Sequence, residues 1–474
     1  MRFAAIILGL LAGSLATGAQ VTWELQSLPM THPAFSGYLK LVDDPVSGNV
    51  FLCGEPQAST SIYCTSDWYY APGSNAWTNG NHGYNSNADA CTADKSNKPG
   101  DRHPLGQMTV DTLRSVLWMA GGLNQTCDTF SVDTSGTTVT RIGANQFNSS
   151  WVGEQVTINS ITYTVASVAS GDQLTLMTSA GTQSSVALVL LNSIVGVRDT
   201  YTLSLNASIV SNSWTKKNPT HTLPSAVGAS FAYIPGLDCI FSFGGGSYNS
   251  AYALYCPTDL NPIPGTLTAA QSTAGGLADD WSVFTTTGQQ CLDRVYPCGI
   301  QYPGVFWDAA TARVIIYAGQ TTGTTGVCGA PSVPYCNETW AYDPTTQTFS
   351  EKCQSPCSPP PVFAGSGSST AQPAMDSVAS GRFLFHQFSN TDAPADWLYN
   401  SATDLWYLLT SSGSGPNVKQ ATLAFNSATG KVVSWSQEES GGNPAVWIAT
   451  LGNLDIPTTS LSGNLTISGK VSIK

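Results

Sequence analysis

One short pattern recurs six times along this chain, and each copy reads as two β-strands joined by a tight turn. The pattern is an apolar pair, usually an Asp or Asn, a short turn, and an apolar run that often ends in Gly. The copies lie about 50 to 75 residues apart once one inserted segment is removed. Small units that cannot bury both faces alone, at this spacing, predict a closed ring of sheets. The six copies begin at Leu41, Met108, Phe231, Val305, Ala374 and Leu423.

The copy in residues 302–351 shows a whole unit. Two apolar runs flank a turn, and after a long loop Trp340, Tyr342 and Asp343 stand in a third strand that turns into a fourth at Phe349. Four short strands with this "Trp-x-Tyr-Asp-Pro" segment resemble a kelch repeat, which is one blade of a β-propeller. An aromatic residue also opens the fourth strand in four other copies, at Trp77, Trp214, Trp281 and Trp406.

The sixth copy has a third strand near Trp447 but no fourth strand with an aromatic residue after it. A suitable strand stands near the start of the chain, around Trp23. We therefore predict an all-β, six-bladed, kelch-like propeller in which the N-terminal strand closes the last blade. A β-sandwich, a pair of unrelated β domains and a seven-bladed ring are the alternatives.

The second copy is interrupted by about 65 extra residues with their own period-two alternation. We interpret this segment as a small all-β insert. The predicted organisation is a signal peptide in residues 1–19, propeller in 20–130, insert in 131–197, propeller in 198–454 and a tail in 455–474.

The composition excludes some partners. Only 18 of the 474 residues are Lys or Arg and the net charge is −12, which argues against nucleic acid and anionic membranes. Residues 1–19 combine Arg2, an apolar run and a small-residue site, which is typical of a cleaved signal peptide. We expect a secreted protein, or a periplasmic one in a bacterium, without membrane insertion.

The chain has twelve cysteines, an even number that predicts about six disulfides in an exported protein. Proximity favours Cys53 with Cys64 and Cys239 with Cys256, but sequence alone cannot fix the connectivity. The other candidate pairs are Cys91 with Cys127, Cys291 with Cys298, Cys328 with Cys336, and Cys353 with Cys357.

Loop lengths distinguish the two faces of the predicted ring. The turns between strands 1 and 2 and between strands 3 and 4 share one face, here called the tight-turn face, which we expect to be uniformly tight. The other connections share the long-loop face, where we expect the binding surface and nearly all of the cysteines. The candidate binding residues near that face are Arg102, His103, Tyr248, Arg294 and Tyr302.

The resemblance to kelch propellers raises an enzymatic alternative, because galactose-oxidase-type copper radical oxidases are built on such a ring. Their copper site needs a Tyr-His pair on one strand and a Cys linked to a Tyr. None of the five His residues follows a Tyr, and each Cys has a plausible disulfide partner. We therefore predict no metal site, no cofactor and no catalytic residue. The five histidines are His32, His82, His103, His221 and His386.

A hydrolase would instead need converging carboxylates. Asp279, Asp280 and Asp293 lie on or near the long-loop face, but sequence does not bring them together, and we interpret them as surface charge. The sequence favours a binding or scaffold module for a carbohydrate or a cell-surface protein. An extracellular carbohydrate-active enzyme is the alternative.

Overall fold

The protein is described by a computed structural model, in which the chain forms 33 strands and one short 3-10 helix within the described ranges. These ranges are 20–33, 40–54, 66–80, 107–121, 123–125, 129–142, 147, 151–153, 155–159, 161–191, 194–196, 200–219, 221, 223, 228–245, 252–257, 279–284, 297, 300–320, 335–353, 374–387, 394–413, 415–416, 422–437, 444–452 and 454.

The first seven strands belong to the ring. They are β1 (Gln20–Leu25), β2 (Leu41–Asp44), β3 (Asn49–Gly54), β4 (Ser66–Ala71), β5 (Ala76–Asn79), β6 (Met108–Asp111) and β7 (Val116–Ala120).

The next eight strands form the insert and its stalk. They are β8 (Leu123–Gln125), β9 (Thr129–Ser135), β10 (Thr138–Ile142), β11 (Gln155–Ile158), β12 (Ile161–Ser170), β13 (Gln173–Leu176), β14 (Gln183–Leu191) and β15 (Ile194–Gly196).

The remaining strands return to the ring, with the 3-10 helix at Ile209–Ser211. They are β16 (Thr200–Ser204), β17 (Trp214–Lys217), β18 (Ala229–Ile234), β19 (Cys239–Gly244), β20 (Tyr252–Cys256), β21 (Asp280–Phe284), β22 (Gly304–Asp308), β23 (Arg313–Gln320), β24 (Tyr335–Asp343), β25 (Thr348–Lys352), β26 (Ala374–Ala379), β27 (Arg382–Gln387), β28 (Ala395–Asn400), β29 (Leu405–Leu408), β30 (Thr410–Ser412), β31 (Thr422–Asn426), β32 (Lys431–Gln437) and β33 (Pro444–Leu451).

Six antiparallel sheets stand around a central axis, so the six-bladed propeller is confirmed. Blades 1 to 5 are β2-β3-β4-β5, β6-β7-β16-β17, β18-β19-β20-β21, β22-β23-β24-β25 and β26-β27-β28-β29. Blade 6 is β31-β32-β33-β1, with β30 added to its outer edge. Each innermost strand contacts the innermost strands of both neighbouring blades, and β2 contacts β31, which closes the ring.

The N-terminal strand completes the last blade, as predicted. Strand β1 pairs antiparallel with β33, and Trp23 lies opposite Ala449. On its other side β1 pairs in parallel with β30, where Val21 lies opposite Ser411. The first and last parts of the described chain therefore share one sheet.

Strand alternation explains why the sheets stack radially. In β3, Val50 and Leu52 pack against blade 6, whereas Phe51 and Cys53 point the opposite way and pack against blade 2. A strand that is buried on both faces reads as a continuous apolar run, as these copies do. Among the described residues, one buried apolar cluster lies at each of the six interfaces between blades, and a seventh lies in the insert.

An Asp or Asn of the repeat caps the first turn in four blades. In each blade the last residue of the innermost strand is buried, and its side-chain oxygen accepts a backbone N–H from the turn. Asx capping of this kind favours a tight turn over a longer loop. The four residues are Asp44, Asp111, Asp308 and Asn426.

A second repeated contact joins neighbouring blades at their outer strands. The Trp at the start of strand 4 donates its indole N–H to an Asp or Thr on strand 3 of the preceding blade, over 2.9–3.0 Å in all four cases. Each acceptor has the same place in its own blade. It stands three residues before the strand 3 residue that pairs with the strand 4 aromatic of that blade. The pairs are Trp214 with Asp67, Trp281 with Thr200, Trp406 with Thr339, and Trp23 with Asp396.

At the other two interfaces this indole hydrogen bond is not formed within the described residues. In blade 4 the donor position is Phe349, and Tyr252 occupies the acceptor position, with the ring centroids 5.3 Å apart. In blade 1 the donor position is Trp77, but Val446 stands at the acceptor position. The indole N–H of Trp77 has no hydrogen-bond partner within the described residues.

The insert is a closed six-stranded barrel in the order β10-β13-β12-β11-β14-β9. Phe130, Phe147 and Trp151 pack at its centre. The two-stranded ribbon of β8 and β15 stands between the barrel strands and blade 2 in the sequence. The predicted all-β insert is therefore present.

The tight-turn face is not uniformly tight, and that expectation is wrong in blade 3. Strands β20 and β21 pair from Cys256 opposite Asp280 onward, so residues 257–279 connect two adjacent strands. Composition gave no signal of this, because the segment is rich in the Gly, Pro and Thr of ordinary loops. Within the described residues, no helix is long and apolar enough to cross a bilayer.

Candidate functional site

The six innermost strands enclose a cavity of about 370 Å³ on the propeller axis. All six of them line it, because the free edge of each faces the centre of the ring. The cavity extends from Lys40, just before β2, to turn residues such as Pro45 and Thr112 on the tight-turn face. Small-molecule sites in proteins usually have this size and lie at such convergent positions.

The wall of the cavity is largely apolar and partly aromatic. The aliphatic residues of the wall include Met108, Val305, Met375 and Leu423. Of the aromatic residues, Phe306 and Trp307 are half-buried and keep part of their surface exposed. The four aromatic residues of the wall are Phe231, Tyr233, Phe306 and Trp307.

Three ionisable side chains line this apolar cavity, namely Lys40, Asp43 and Asp376. They come from blades 1 and 5, which lie on either side of blade 6. All three are half-buried, so each has part of its surface on the cavity and the remainder enclosed by protein. Charged groups at a position of this kind are favoured only when partners or ligands compensate their lost hydration.

Asp376 is held by two backbone groups. Its carboxylate oxygens accept N–H bonds from Phe425 at 2.7 Å and from Ser377 at 2.8 Å. Phe425 lies on the innermost strand of blade 6, so Asp376 satisfies a donor on that free edge. Burial raises the pKa of Asp376 to about 6, although these hydrogen bonds and the charge of Lys40 act in the opposite direction.

Lys40 crosses from blade 1 to blade 2. Its Nζ donates to the backbone carbonyl of Met108 at 3.0 Å. Burial lowers the pKa of Lys40 to about 8, and the charge of Asp376 opposes that shift only in part. The ammonium is therefore less favourable here than in water, and the amine loses its proton closer to neutral pH.

Asp43 lies on the other side of the blade 6 strand. One of its oxygens accepts from Ser427 Oγ at 2.5 Å, and the other accepts from Asn426 Nδ2 at 3.2 Å. Burial raises the pKa of Asp43 above its ordinary value, and these bonds oppose the shift. Blade 6 thus has one carboxylate bonded to each side of its innermost strand.

The five binding residues predicted from the sequence are mostly outside the described residues. Arg102, His103, Tyr248 and Arg294 all lie there. Tyr302 is described and is 6% exposed, with its N–H donating to the Gly228 carbonyl at 2.7 Å. Its ring lies beside Gly228, where an added Cβ would come within 3.0 Å of it. Ligand stacking on Tyr302 stays a prediction.

The carboxylates that a hydrolase would use do not converge in the described part of the chain. Asp280 is buried and accepts from His221, while Asp279 accepts from Lys217 and Tyr255. Asp293 lies outside the described residues. Both described carboxylates stand at the outer strand of blade 3 and not at the cavity.

The described histidines serve structural contacts. His386 is buried, and its two ring nitrogens contact Asp396 and the Pro416 carbonyl at 2.7 Å each. His32 contacts the Pro33 carbonyl. Among the described residues, no group of three or more His, Cys, Asp or Glu is placed to hold a metal ion.

One predicted disulfide is confirmed, between Cys239 and Cys256. These residues begin β19 and end β20, so the bond lies at the tight-turn end of blade 3, away from the face where we expected nearly all of the cysteines. Cys53 and Cys353 are also disulfide-bonded. Their partners lie outside the described side chains, so their pairing with Cys64 and Cys357 stays a prediction, as do the bonds of the remaining cysteines.

Sequence analysis missed Lys40, Asp43 and Asp376 as a group. Asp43 and Asp376 stand in two of the six repeats, where they read as the turn residue, and Lys40 stands directly before the first repeat. A signal was present in blade 1, because Asp43 and Asp44 are adjacent, and successive residues of a strand point in opposite directions. Only one of the two could cap the turn.

Comparisons with known proteins give structural likeness only. No family model and no curated protein matches the sequence. A sialidase from Trypanosoma rangeli aligns with a TM-score of 0.38 and 10% identity, over 90% of this chain and 58% of that chain. A GH74 xyloglucanase from Xanthomonas campestris aligns with a TM-score of 0.38 and 11% identity, over 90% of this chain and 55% of that chain.

A putative 6-phosphogluconolactonase from Bacteroides fragilis aligns with a TM-score of 0.27 and 8% identity, over 88% of this chain and 98% of that chain. The chain spans a little more than half the length of the sialidase and the xyloglucanase. Likeness at this level assigns neither a family nor an activity. The strand pairing establishes the six-bladed propeller, and membership of the kelch family stays a prediction.

Proposed function

We propose that this protein is an extracellular binding module whose ligand is a saccharide, with one sugar unit bound in the axial cavity. The observation that carries the proposal is the composition of the cavity wall, which combines aromatic rings with two carboxylates and one amine. Sugar hydroxyls donate well to carboxylates, and the C–H faces of a sugar pack on aromatic rings. A mostly apolar pocket with a few fixed polar groups is the usual form of such a site.

The remainder of the saccharide would lie on the long-loop face. Lys40 stands just before β2, at the end of the cavity that faces this side of the ring. Arg102, His103, Tyr248, Arg294 and Tyr302 are the residues we propose for contacts there. The disulfides of Cys239, Cys256, Cys53 and Cys353 support an extracellular location, because such bonds persist in oxidising compartments.

A glycan array with residues 20–474 tests the proposal, followed by calorimetry with the best ligand. We expect Asp43→Asn and Asp376→Asn each to lower affinity by roughly tenfold, as expected when one charged hydrogen bond is weakened. Asp172→Asn is the matched control, since Asp172 is an exposed residue of the barrel and pairs with Arg141. The proposal is wrong if no saccharide binds, or if both cavity variants bind as well as the wild type.

One observation favours a second candidate, a carbohydrate-active enzyme. A carboxyl group with a pKa near 6 is suited to general acid catalysis, and Asp376 has such a value in a cavity that a second carboxylate, Asp43, also lines. Incubating each array hit with the protein and measuring released reducing sugar separates the two functions. Release that Asp376→Asn abolishes would establish the enzyme, and binding without release would establish the module.

A further inference from the structure

We propose that Lys40 is a nucleophilic amine that captures small aldehydes in the axial cavity as imines, with Asp376 as the proton donor. The proposal does not rest on saccharide binding, because any aldehyde small enough for the cavity would serve as the ligand. It concerns an activity of the ring itself, since the residues come from blades 1 and 5 and line one cavity only when the propeller closes.

The position of Lys40 suits this chemistry. Lys40 lines the axial cavity of about 370 Å³, which leaves room for a small molecule, and its Nζ donates to the Met108 carbonyl at 3.0 Å. Met108, Met375 and Leu423 give that cavity an apolar wall, so the ammonium form is poorly solvated. Burial lowers the pKa of Lys40 to about 8, and lysines are activated as nucleophiles by this kind of desolvation.

Asp376 supplies the second requirement, an acid that lines the same cavity as Lys40. Its charge also interacts with that of Lys40. Because its pKa is about 6, a protonated fraction persists near neutral pH. Asp43 is the other charged group of the described cavity wall, and Ser427 and Asn426 hold it on the far side of β31.

The reaction balances without a further reagent. The lone pair of neutral Lys40 Nζ attacks the carbonyl carbon, and a proton moves from the nitrogen to the oxygen to give a carbinolamine. Protonated Asp376 then donates a proton to the hydroxyl, which leaves as water while the C=N bond forms. The resulting iminium gives its proton back to the Asp376 carboxylate, so the acid is restored.

Reductive trapping with propanal and sodium cyanoborohydride tests the proposal on the wild-type protein, with peptide mapping by mass spectrometry. We expect N-propylation of Lys40 to be on the order of tenfold faster than that of three lysines outside the cavity lining, here called the outer lysines, since far more of its amine is neutral at pH 7. Lys216, Lys352 and Lys431 are the internal comparison, and Lys40→Arg removes the reactive amine while keeping the charge.

The pH dependence of trapping at Lys40 distinguishes this mechanism from one in which only the accessibility of the lysine determines the rate. If neutral Lys40 and protonated Asp376 are both needed, trapping at Lys40 passes through a maximum near pH 7, between the two pKa values of about 6 and about 8. Trapping at the outer lysines rises steadily with pH. A steady rise at Lys40 as well would overturn the role of Asp376.

The rate of aldehyde capture by the Asp376→Asn variant is an independent test, because the two possible roles of Asp376 change this rate in opposite directions. Loss of the carboxylate charge would leave more of Lys40 neutral, which by itself speeds capture. Slower capture in this variant therefore identifies Asp376 as the proton donor, and faster capture overturns that assignment. If Lys40 in the wild type reacts no faster than the outer lysines, the whole proposal is wrong, whether or not the array finds a saccharide.

Discussion

Lys40 and Asp376 are two opposite charges in a cavity that solvates neither well. Burial disfavours the charged form of each, and their mutual attraction restores only part of that loss. A pair of this kind adds little net stability compared with apolar residues, but removing one partner leaves the other uncompensated. The two groups are therefore better explained by a site than by a need for stability.

Lys40→Met should lower the free energy of unfolding by about 1–3 kcal/mol. This is less than the loss expected for a fully enclosed pair, because both groups keep some contact with the cavity. Adding Asp376→Asn should recover part of the loss. Urea unfolding of the two single variants and the double variant measures the coupling, with Lys431→Met as the control, because Lys431 on β32 does not line the cavity. Additive losses would show that the two charges do not interact.

The stability of the protein should also depend on pH through this pair. From about pH 4 to 6 the folded protein keeps a proton on Asp376 that the unfolded chain releases, so stability falls as the pH rises. From about pH 8 to 10.5 the unfolded chain keeps a proton on Lys40 that the folded protein releases, so stability rises with pH.

Denaturation of the wild type and Asp376→Asn at pH 4, 5 and 6 isolates the first window. The stability of the wild type relative to the variant should fall by about 1–2 kcal/mol across it, after allowance for the partial exposure of the carboxylate. A constant difference would contradict the raised pKa of Asp376.

The sequence shows an Asp or Asn in most repeats, but it does not show that these residues have two roles. Asp44, Asp111, Asp308 and Asn426 cap turns, whereas Asp43 and Asp376 line the cavity. In blade 5 the pairing shifts register between Ser377 and Ala379, which moves the turn away from Asp376. A bulge of this kind leaves no clear mark in a single sequence.

At the scale of strands, the fourth-strand aromatics explain how neighbouring blades are joined. The indole N–H reaches over to strand 3 of the preceding blade, and a buried donor of this type needs an acceptor. Where the aromatic is Phe349, the facing residue is the ring of Tyr252. Where the facing residue is Val446, the Trp77 N–H lacks a described partner.

Val446→Thr should therefore stabilise the protein. Threonine has nearly the shape of valine, and at this fully buried position its hydroxyl would meet the Trp77 N–H. One added hydrogen bond to a buried donor is worth about 0.5–1.5 kcal/mol, which thermal unfolding can resolve. The reverse change, Thr339→Val, removes the acceptor of Trp406 and should cost about 1–3 kcal/mol. If Val446→Thr destabilises the protein, the acceptor position has been assigned wrongly.

The strands themselves were predictable, but one of their connections and the axial cavity were not. Strands that are buried on both faces appear in the sequence as apolar runs, and an aromatic residue opens the fourth strand of each blade. These local patterns were enough to predict the strands. The segment between Cys256 and Asp280 reads as loop, and nothing local shows that it joins two adjacent strands of one blade. The cavity likewise depends on long-range closure, because its charged residues are 336 positions apart in the chain, from Lys40 to Asp376.

For the whole molecule, closure by the N-terminal strand is the feature that holds the ring together. Strand β1 supplies the last blade with Trp23, whose indole bonds Asp396 in blade 5 at 2.9 Å. In the other blades, the Trp and its acceptor belong to blades that follow each other directly in the sequence. Blade 6 instead depends on residues that are more than 400 positions apart in the sequence, Trp23 and Ala449.

A circular permutant tests whether that separation matters to the native state. Strands β33 and β1 are antiparallel neighbours, and Leu451 lies opposite Val21, so a short turn can join residue 454 to Gln20 as in a hairpin. New ends between residues 33 and 40 cut no described strand. The permutant keeps every native strand pair, and we expect its unfolding midpoint in urea to match that of the linear 20–454 protein.

We expect the permutant and the linear protein to differ in refolding rate, although their unfolding midpoints match. In the permutant the closing strand is local to its partner, so less chain entropy is lost before blade 6 forms, and refolding should be several-fold faster. Trp23→Phe in both forms is the control, because it removes the bond to Asp396 and should destabilise both equally. A permutant that refolds at the rate of the linear protein would show that closing the ring does not limit folding.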